Sequence, residues 1–165
     1  MKKAISLILI LITSFMTFSF NNLDVVYAQK NLIKSKSVEV YYIQELIKIG
    51  DQIYILGSNS LDSELIKKEK NKLLDDAAFI KSQIRNFRIK LSEYHDKESG
   101  NEEKNPLSLA LLNTLNYYSM SLSYLNLFLN SQSSSDKNQY LQDYYFSKAA
   151  GDQTLLWIKK QLNKI

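Results

Sequence analysis

Hydrophobic residues recur along positions 66–94 with the spacing of one face of a long helix. From Leu73 onwards the intervals alternate between four and three residues, and Lys70 is the one position that breaks the pattern. Such alternation predicts a helix that packs against other helices, and the chain is therefore expected to be organised around it. The seam consists of Ile66, Leu73, Ala77, Ile80, Ile84, Phe87, Leu91 and Tyr94.

Two helices are predicted in the first half of the chain. The first is expected over about 38–57, with Ser37 as its cap, Gly50 as an interruption and Gly57 as its C′ residue. The second is expected over about 61–98 with Ser60 as its N-cap, and its length of roughly 55 Å leaves a break near Lys67–Lys72 as an alternative. The seam of the first helix is predicted at Val40, Ile43, Leu46 or Ile47, and Ile53 or Tyr54.

Two more helices are predicted in the second half. Pro106 suits a first helical position, which predicts a third helix over about 106–131, and a fourth is expected over about 137–163, capped by Ser135 or Asp136. The third seam is Leu111, Leu115, Tyr118, Leu122, Leu125 and Leu129, with a neutral polar stripe of Asn116, Ser119, Ser123, Asn126 and Asn130 facing another way. The fourth seam is Leu141, Tyr144 or Tyr145, Ala149, Leu155, Ile158 and Leu162.

These elements predict an all-α fold. Four helices with short turns and seven-residue seams indicate one antiparallel four-helix bundle over 37–165, after a loose arm at 29–36; a three-helix or irregular α arrangement is the alternative. Glycine is scarce and the chain has a single proline. Strand-and-turn folds need both residues, so an all-β fold is disfavoured.

The first 28 residues have the pattern of a signal peptide. A basic start at Lys2 and Lys3 precedes an apolar run, and Val26-Tyr27-Ala28 supplies small residues at −3 and −1, which predicts a mature start at Gln29. Retention as an anchor is the alternative, since the apolar run of about 17 residues is at the short edge of what spans a bilayer. The product is expected to be periplasmic, associated with the cell surface, or secreted.

The amino-acid composition excludes some kinds of site. The chain contains no cysteine, so an exported protein of this sequence would depend on packing alone and could not build a zinc–thiolate site. Removing Lys2, Lys3 and Asp24 with the leader changes the net charge from +4 to about +3, which is mild and does not demand a nucleic-acid partner. No cofactor or metal is expected.

The leader Met1–Ala28, without a lipid-bearing cysteine, is followed by helices rich in Lys, Asn, Ile and Tyr. This combination resembles the exported plasmid-encoded helical proteins of Borrelia, the EppA/BapA type. The resemblance implies an exported or periplasmic protein linked to host infection, with no assigned activity. It carries over no functional residue.

The third helix is the most informative candidate for function, because no charged side chain occurs between Asn105 and Ser135. One interpretation is the most buried helix of the bundle, and another is an exposed partner-binding face. Met and aromatic side chains are typical anchors of protein interfaces. That face would consist of Tyr117, Met120, Tyr124, Leu127 and Phe128.

Three other candidate sites have weaker support in the sequence. The tripeptide Gly-Asp-Gln occurs at 50–52 and at 151–153, so Gly50 and Gly151 could allow close helix approach, or Asp51 and Asp152 could form a carboxylate pair. The single histidine, His95, is expected to be solvated near a helix end and supports neither a metal pair nor a catalytic triad. A basic stripe that could contact a polyanion consists of Lys81, Arg85 and Arg88.

The sequence therefore predicts an exported, non-enzymatic helical bundle that binds another protein. The alternative is a membrane-active bundle whose uncharged third helix inserts into lipid. A leftover apolar face often pairs with its own copy, so a homodimer is also considered.

Overall fold

The computed structural model describes residues 32–98 and 106–162, and all structural statements below refer to these ranges. They contain four helices and no strand, which confirms the predicted all-α fold. The helices are α1 (Leu32–Asn59), α2 (Ser63–Glu98), α3 (Pro106–Asn130) and α4 (Ser134–Leu162). The leader at 1–28 lies outside the described residues. Helix α1 begins at Leu32, inside the segment 29–36 that was expected to be a loose arm.

Side-chain hydrogen bonds join each helix to the next and α4 back to α1. This closed set of neighbours defines the four-helix bundle. The joining pairs are Tyr94 with Glu39 (3.0 Å), His95 with Ser108 (2.7 Å), Tyr118 with Asp152 (2.7 Å) and Tyr144 with the carbonyl of Ile53 (3.3 Å).

The predicted seams of α2 and α3 form the core. On α2 every seam position from Leu73 onwards is buried, and Ile66 packs partly buried against the same cluster. On α3 all six predicted seam residues are buried, including Tyr118, which shares with Tyr144 the largest volume among the fully buried side chains of the described ranges. Burial of these apolar side chains is the main source of the stability of the bundle.

The predicted seams of α1 and α4 are partly wrong. On α1 the predicted Ile43 and Leu46 are buried, and of the alternatives Ile53 and Tyr54 it is Ile53 that is buried. Val40 is 40% exposed, whereas Glu39 is buried. Ala149 is exposed on α4 and Gly151 is buried. Both unexpected inward residues contact tyrosines of other helices: Glu39 accepts a hydrogen bond from Tyr94, and Gly151 lies against the ring of Tyr118.

The predicted helix caps also need correction. Asp62, not Ser60, caps α2, because its carboxylate accepts hydrogen bonds from the backbone N–H groups of Glu64 (2.9 Å) and Leu65 (3.1 Å). Ser60 is buried and its hydroxyl donates to the carbonyl of Leu56. Helix α1 continues through Gly57 to Asn59, so Gly57 is not its C′ residue.

Two further boundaries differ from the expectation. Ser37 lies inside α1, so it does not cap that helix, and α1 runs without interruption through Gly50. Helix α4 begins at Ser134, and the hydroxyl of Ser133 accepts a hydrogen bond from the backbone N–H of Asp136 (3.3 Å). Ser133 therefore has the capping role that was assigned to Ser135 or Asp136.

Helix α2 contains the break that its length suggested. Glu69 has non-helical backbone angles (φ −128°, ψ 23°), which confirms an interruption within Lys67–Lys72. The break separates Ile66 from the seam that begins at Leu73. It therefore explains why Lys70 falls at the position where the hydrophobic spacing fails.

Candidate functional site

The face of α3 that points away from the other helices has a second regular pattern. We call it the outer seam: Leu109, Asn113, Asn116, Met120, Ser123 and Leu127, all of which are exposed. The intervals are four, three, four, three and four residues. This is the spacing at which one helix packs along another, and here no helix of the described bundle covers it.

The outer seam is free of charge as well as exposed. Helix α3 contains no Asp, Glu, Lys or Arg from Pro106 to Asn130. Its exposed apolar side chains are Leu109 (44% exposed), Met120 (46%) and Leu127 (45%). Charge depletion combined with exposed Met and Leu is the composition of an interface core.

The residues predicted to bind a partner divide into two groups. Met120 and Leu127 belong to the outer seam. Tyr117 is 37% exposed beside α4, where its Cβ lies 3.4 Å from the position that a Cβ on Gly151 would take. Tyr124 and Phe128 are half-buried and pack against the core. The five residues therefore do not form one flat face.

Leu109 and Asn113 belong to the outer seam but were not identified from the sequence. In the sequence, Asn116 and Ser123 belong to the predicted polar stripe, and Met120 and Leu127 belong to the predicted partner-binding face. Steps of four and three residues from Leu109 join these residues into one pattern. The inner and outer seams together explain why α3 lacks charge around its whole circumference.

Exposed apolar residues also occur on the other helices, but beside charges. Tyr54 on α1 is three positions from Asp51, and Phe79 on α2 is three positions from Asp76. Leu156 on α4 is four positions from Asp152. Isolated apolar side chains on a charged surface are ordinary in soluble proteins. Helix α4 also has an exposed uncharged run, which consists of Gln139, Gln142, Phe146, Ala149, Gln153 and Leu156. Charged residues of the same helix accompany that run, whereas α3 is the one helix of the described residues that carries no charge.

The predicted polyanion stripe borders the outer seam. Arg88 donates a hydrogen bond to the Oδ1 atom of Asn116, which places it at the boundary between α2 and α3. Lys81 and Arg85 are exposed and lie seven and three positions before it, on the same flank of α2. The neutral face therefore has a basic margin on its α2 side.

A polar network at the middle of the bundle surrounds Tyr118. Its hydroxyl donates to Asp152 (2.7 Å), and Lys148 binds the same carboxylate at 2.6 Å while lying 5.2 Å from the centre of the Tyr118 ring. Burial, followed by the hydrogen bond to Asp152, raises the pKa of Tyr118 far above its usual range. The phenol therefore stays protonated and acts as a donor.

The two glycines of the repeated tripeptide make room for this ring. A Cβ on Gly151 would lie 2.6 Å from Cε1 of Tyr118, and a Cβ on Gly50 would lie 2.8 Å from its hydroxyl oxygen. The close approach proposed for the glycines is thus an approach to a side chain from α3. Asp152 is held by Tyr118 and Lys148, which assigns it a structural contact.

His95 makes a contact that the sequence did not suggest. It was expected to be solvated, but it is half-buried and its Nδ1 atom is hydrogen-bonded to the hydroxyl of Ser108 at 2.7 Å. Ser108 itself is fully buried in the first turns of α3. The contact ties the end of α2 to the beginning of α3.

The described ranges contain neither a cluster of metal ligands nor a helix suited to a membrane. Over 32–98 and 106–162, no three His, Cys, Asp or Glu side chains are grouped so that they could hold a metal ion. In the same ranges no helix is both long and apolar enough to span a membrane. No family model, curated protein or solved structure matches this chain. The site is therefore interpreted from its own geometry.

Proposed function

We propose that this protein is an exported, non-enzymatic helical bundle that binds another protein through the outer seam of α3. The observation that supports the proposal most directly is the exposure of Leu109, Met120 and Leu127 on a face with no charged side chain. A protein surface normally carries charges that would have to lose water on association, and such desolvation is costly. This face avoids that cost.

The side chains of the outer seam also suit a specific contact. Met is flexible and adapts to the shape of a partner, while the amides of Asn113 and Asn116 can each donate and accept hydrogen bonds. Tyr117 stands at the α4 margin of the face and adds a ring with a polar tip. The export part of the proposal is based on the sequence pattern of the leader and on the resemblance to exported Borrelia proteins.

The proposal is tested by photo-crosslinking in the cells that produce the protein. A photoreactive amino acid is placed at Leu127, at one end of the outer seam, and a matched probe is placed at the exposed Gln153 on α4. We expect a discrete crosslinked product of higher mass from position 127 and none from position 153. Equal labelling at both positions, or none at either, would contradict the proposal.

A second variant links the crosslink to the outer seam. Met120→Lys introduces a charge at the centre of the face, and we expect it to weaken association at least about tenfold, which corresponds to roughly 1.4 kcal/mol. Gln153→Lys adds the same charge on another exposed surface and serves as the control. Both substituted side chains are exposed, so both variants should melt within a few degrees of the parent protein.

A further inference from the structure

The regular spacing of the outer seam specifies its occupant more closely. We infer that the outer seam binds the outer seam of a second copy of this chain, with the two α3 helices antiparallel across a two-fold axis near residue 118. The inference rests on the proposed function, because it names the partner of the same surface.

The spacing of the outer seam is the same in both directions along α3. Numbering from both ends about residue 118 places Leu109 of one copy opposite Leu127 of the other. Asn113 then lies opposite Ser123, and Asn116 lies opposite Met120. In this register each side chain of the outer seam meets one from the other copy at the same height. Leucines meet at both ends, polar groups meet at Asn113 and Ser123, and Met120 meets Asn116 at the centre.

Self-association places a strict limit on charge. In a two-fold interface the same patch faces itself, so a lone charged residue near the axis would meet an identical charge. Helix α3 has no charged residue, although 23% of the chain is charged. Asn and Ser avoid this conflict because each can be donor in one copy and acceptor in the other.

The size of the surface predicts a weak dimer. Leu109 and Leu127 are 18 positions apart, so the seam is about 27 Å long at about 1.5 Å per residue. A helix face of that length buries on the order of 1,000 Å² in total when it pairs with its copy, close to the lower limit for a specific interface. We therefore expect dissociation in the micromolar range.

The basic margin gives the dimer a characteristic salt response. A two-fold axis perpendicular to the paired helices brings the α2 flanks of both copies to the same side, and with them Lys81, Arg85 and Arg88. Their mutual repulsion is long-ranged in dilute buffer and is screened when the Debye length falls to about 8 Å at physiological ionic strength. The dimer should therefore strengthen as salt is added.

The absence of native cysteine allows a direct test of the geometry by disulfide crosslinking. Leu109→Cys and Leu127→Cys are made separately in the full chain, mixed, and oxidised with copper–phenanthroline. We expect the mixed dimer to form faster than a disulfide between two copies of either variant. Gln153→Cys mixed with either variant is the control, and this mixture should form little disulfide-linked dimer.

Different results would overturn the inference. Faster crosslinking of Leu109→Cys to itself would indicate parallel helices, and equal rates for all pairs, the Gln153→Cys control included, would indicate random collision. The crosslinking is paired with sedimentation velocity of the unmodified full chain, in which we expect a monomer–dimer equilibrium that Met120→Lys shifts to monomer. A chain that stays monomeric at all concentrations and salt levels would also refute the antiparallel dimer.

These outcomes can be separated from failure of the proposed function. A strictly monomeric chain whose position 127 still crosslinks to a different protein would refute the dimer and leave the binding function in place. A crosslinked product with twice the mass of the chain would identify the second copy. Absence of both kinds of crosslink would contradict both proposals.

Discussion

Tyr118 donates a hydrogen bond to Asp152 at 2.7 Å, and this contact crosses from α3 to α4 beside two glycines on different helices. The ring occupies the space that side chains at Gly50 and Gly151 would fill. The centre of the bundle is therefore built around one aromatic residue, and substitutions at the two glycines should report on different parts of its ring.

Gly151→Ala should destabilise the bundle by about 1–3 kcal/mol, the usual cost of overpacking, despite a gain in helix propensity of about 1 kcal/mol. Its new Cβ would lie 2.6 Å from Cε1 and 2.7 Å from Cδ1 of Tyr118, and both atoms belong to the ring. The cost should consequently persist in a Tyr118→Phe background. Urea unfolding of the four proteins in the cycle measures it.

Gly50→Ala should behave differently in the same background. Its Cβ would meet the Tyr118 hydroxyl oxygen at 2.8 Å, and the nearest ring carbon lies at 3.0 Å. Removing the hydroxyl should therefore reduce the cost of Gly50→Ala by about 1 kcal/mol, a typical coupling between residues in contact. Equal costs for Gly50→Ala with and without the hydroxyl would contradict this arrangement.

Stability should decline in alkali because of buried tyrosines. Burial, aided by the neighbouring Tyr145, Asp152 and Tyr54, raises the pKa of Tyr144 to about 12 from its usual value of about 10. A folded-state pKa above the unfolded value means that the stabilisation is complete below about pH 10 and is lost as the pH rises towards about 12. The free energy of unfolding should fall across that range.

Tyr144→Phe should make this decline less steep, and Tyr145→Phe is the matched control because Tyr145 is 49% exposed. Urea unfolding at a series of alkaline pH values gives the free energy of unfolding. Tyrosinate absorbance, recorded in parallel, gives the ionisation of the tyrosines. The contrary result is that Tyr145→Phe, and not Tyr144→Phe, reduces the slope of unfolding free energy against pH. That result would assign the alkaline loss of stability to Tyr145.

Glu39 presents a carboxyl group that the core satisfies only in part. It is 1% exposed, and its Oε1 atom accepts a hydrogen bond from Tyr94, but its Oε2 atom has no hydrogen-bond partner. Burying an incompletely paired carboxylate is unfavourable. Glu39→Gln keeps an acceptor for Tyr94 and removes the charge, but its amide N–H groups would stand unpaired where Oε2 is now. We therefore expect the free energy of unfolding to change by less than about 1 kcal/mol.

Thermal and urea unfolding of Glu39→Gln provide the measurement. Glu45→Gln on the same helix is the control, because Glu45 forms an exposed pair with Lys48 and such pairs contribute about 0–1 kcal/mol. Marked destabilisation by Glu39→Gln would show that the carboxylate is needed in its charged form.

The cap of α2 gives a direct comparison of two neighbouring residues. Asp62→Ala removes the acceptor for two backbone N–H groups and should cost about 1 kcal/mol. Ser60→Ala removes only a hydroxyl that donates to the carbonyl of Leu56, within the preceding helix, and should cost less. A larger loss for Ser60→Ala would restore Ser60 to the capping role that its sequence position suggested.

The sequence predicted the number of helices and the core faces of α2 and α3 because those faces use Leu, Ile, Phe and Ala at regular intervals. On α1 and α4 it identified most of the buried apolar residues but missed the inward Glu39, Ser147 and Gly151, which no hydrophobic count identifies. Glu39 and Gly151 contact tyrosines of other helices, and such contacts are a property of the packed bundle.

The candidate site was predicted in part for a related reason. Absence of charge in α3 is visible in the sequence, but whether an uncharged helix face is buried or exposed depends on the position of its neighbours. Met120 and Leu127 are exposed and Tyr124 and Phe128 are half-buried, although all four have similar hydrophobic character. Only the arrangement of α3 against α4 separates them.

The fit of Tyr118 between Gly50 and Gly151 also determines how far each helix can slide along its neighbours. Seven-residue seams would allow a helix to shift by one repeat, about 10 Å, while most of its apolar contacts were restored. After such a shift of α3 along α4 the ring of Tyr118 would meet Tyr144 or Ile158 in place of Gly151 and would lose Asp152 as its acceptor. Tyr118 and Gly151 thus fix the vertical alignment of α3 and α4.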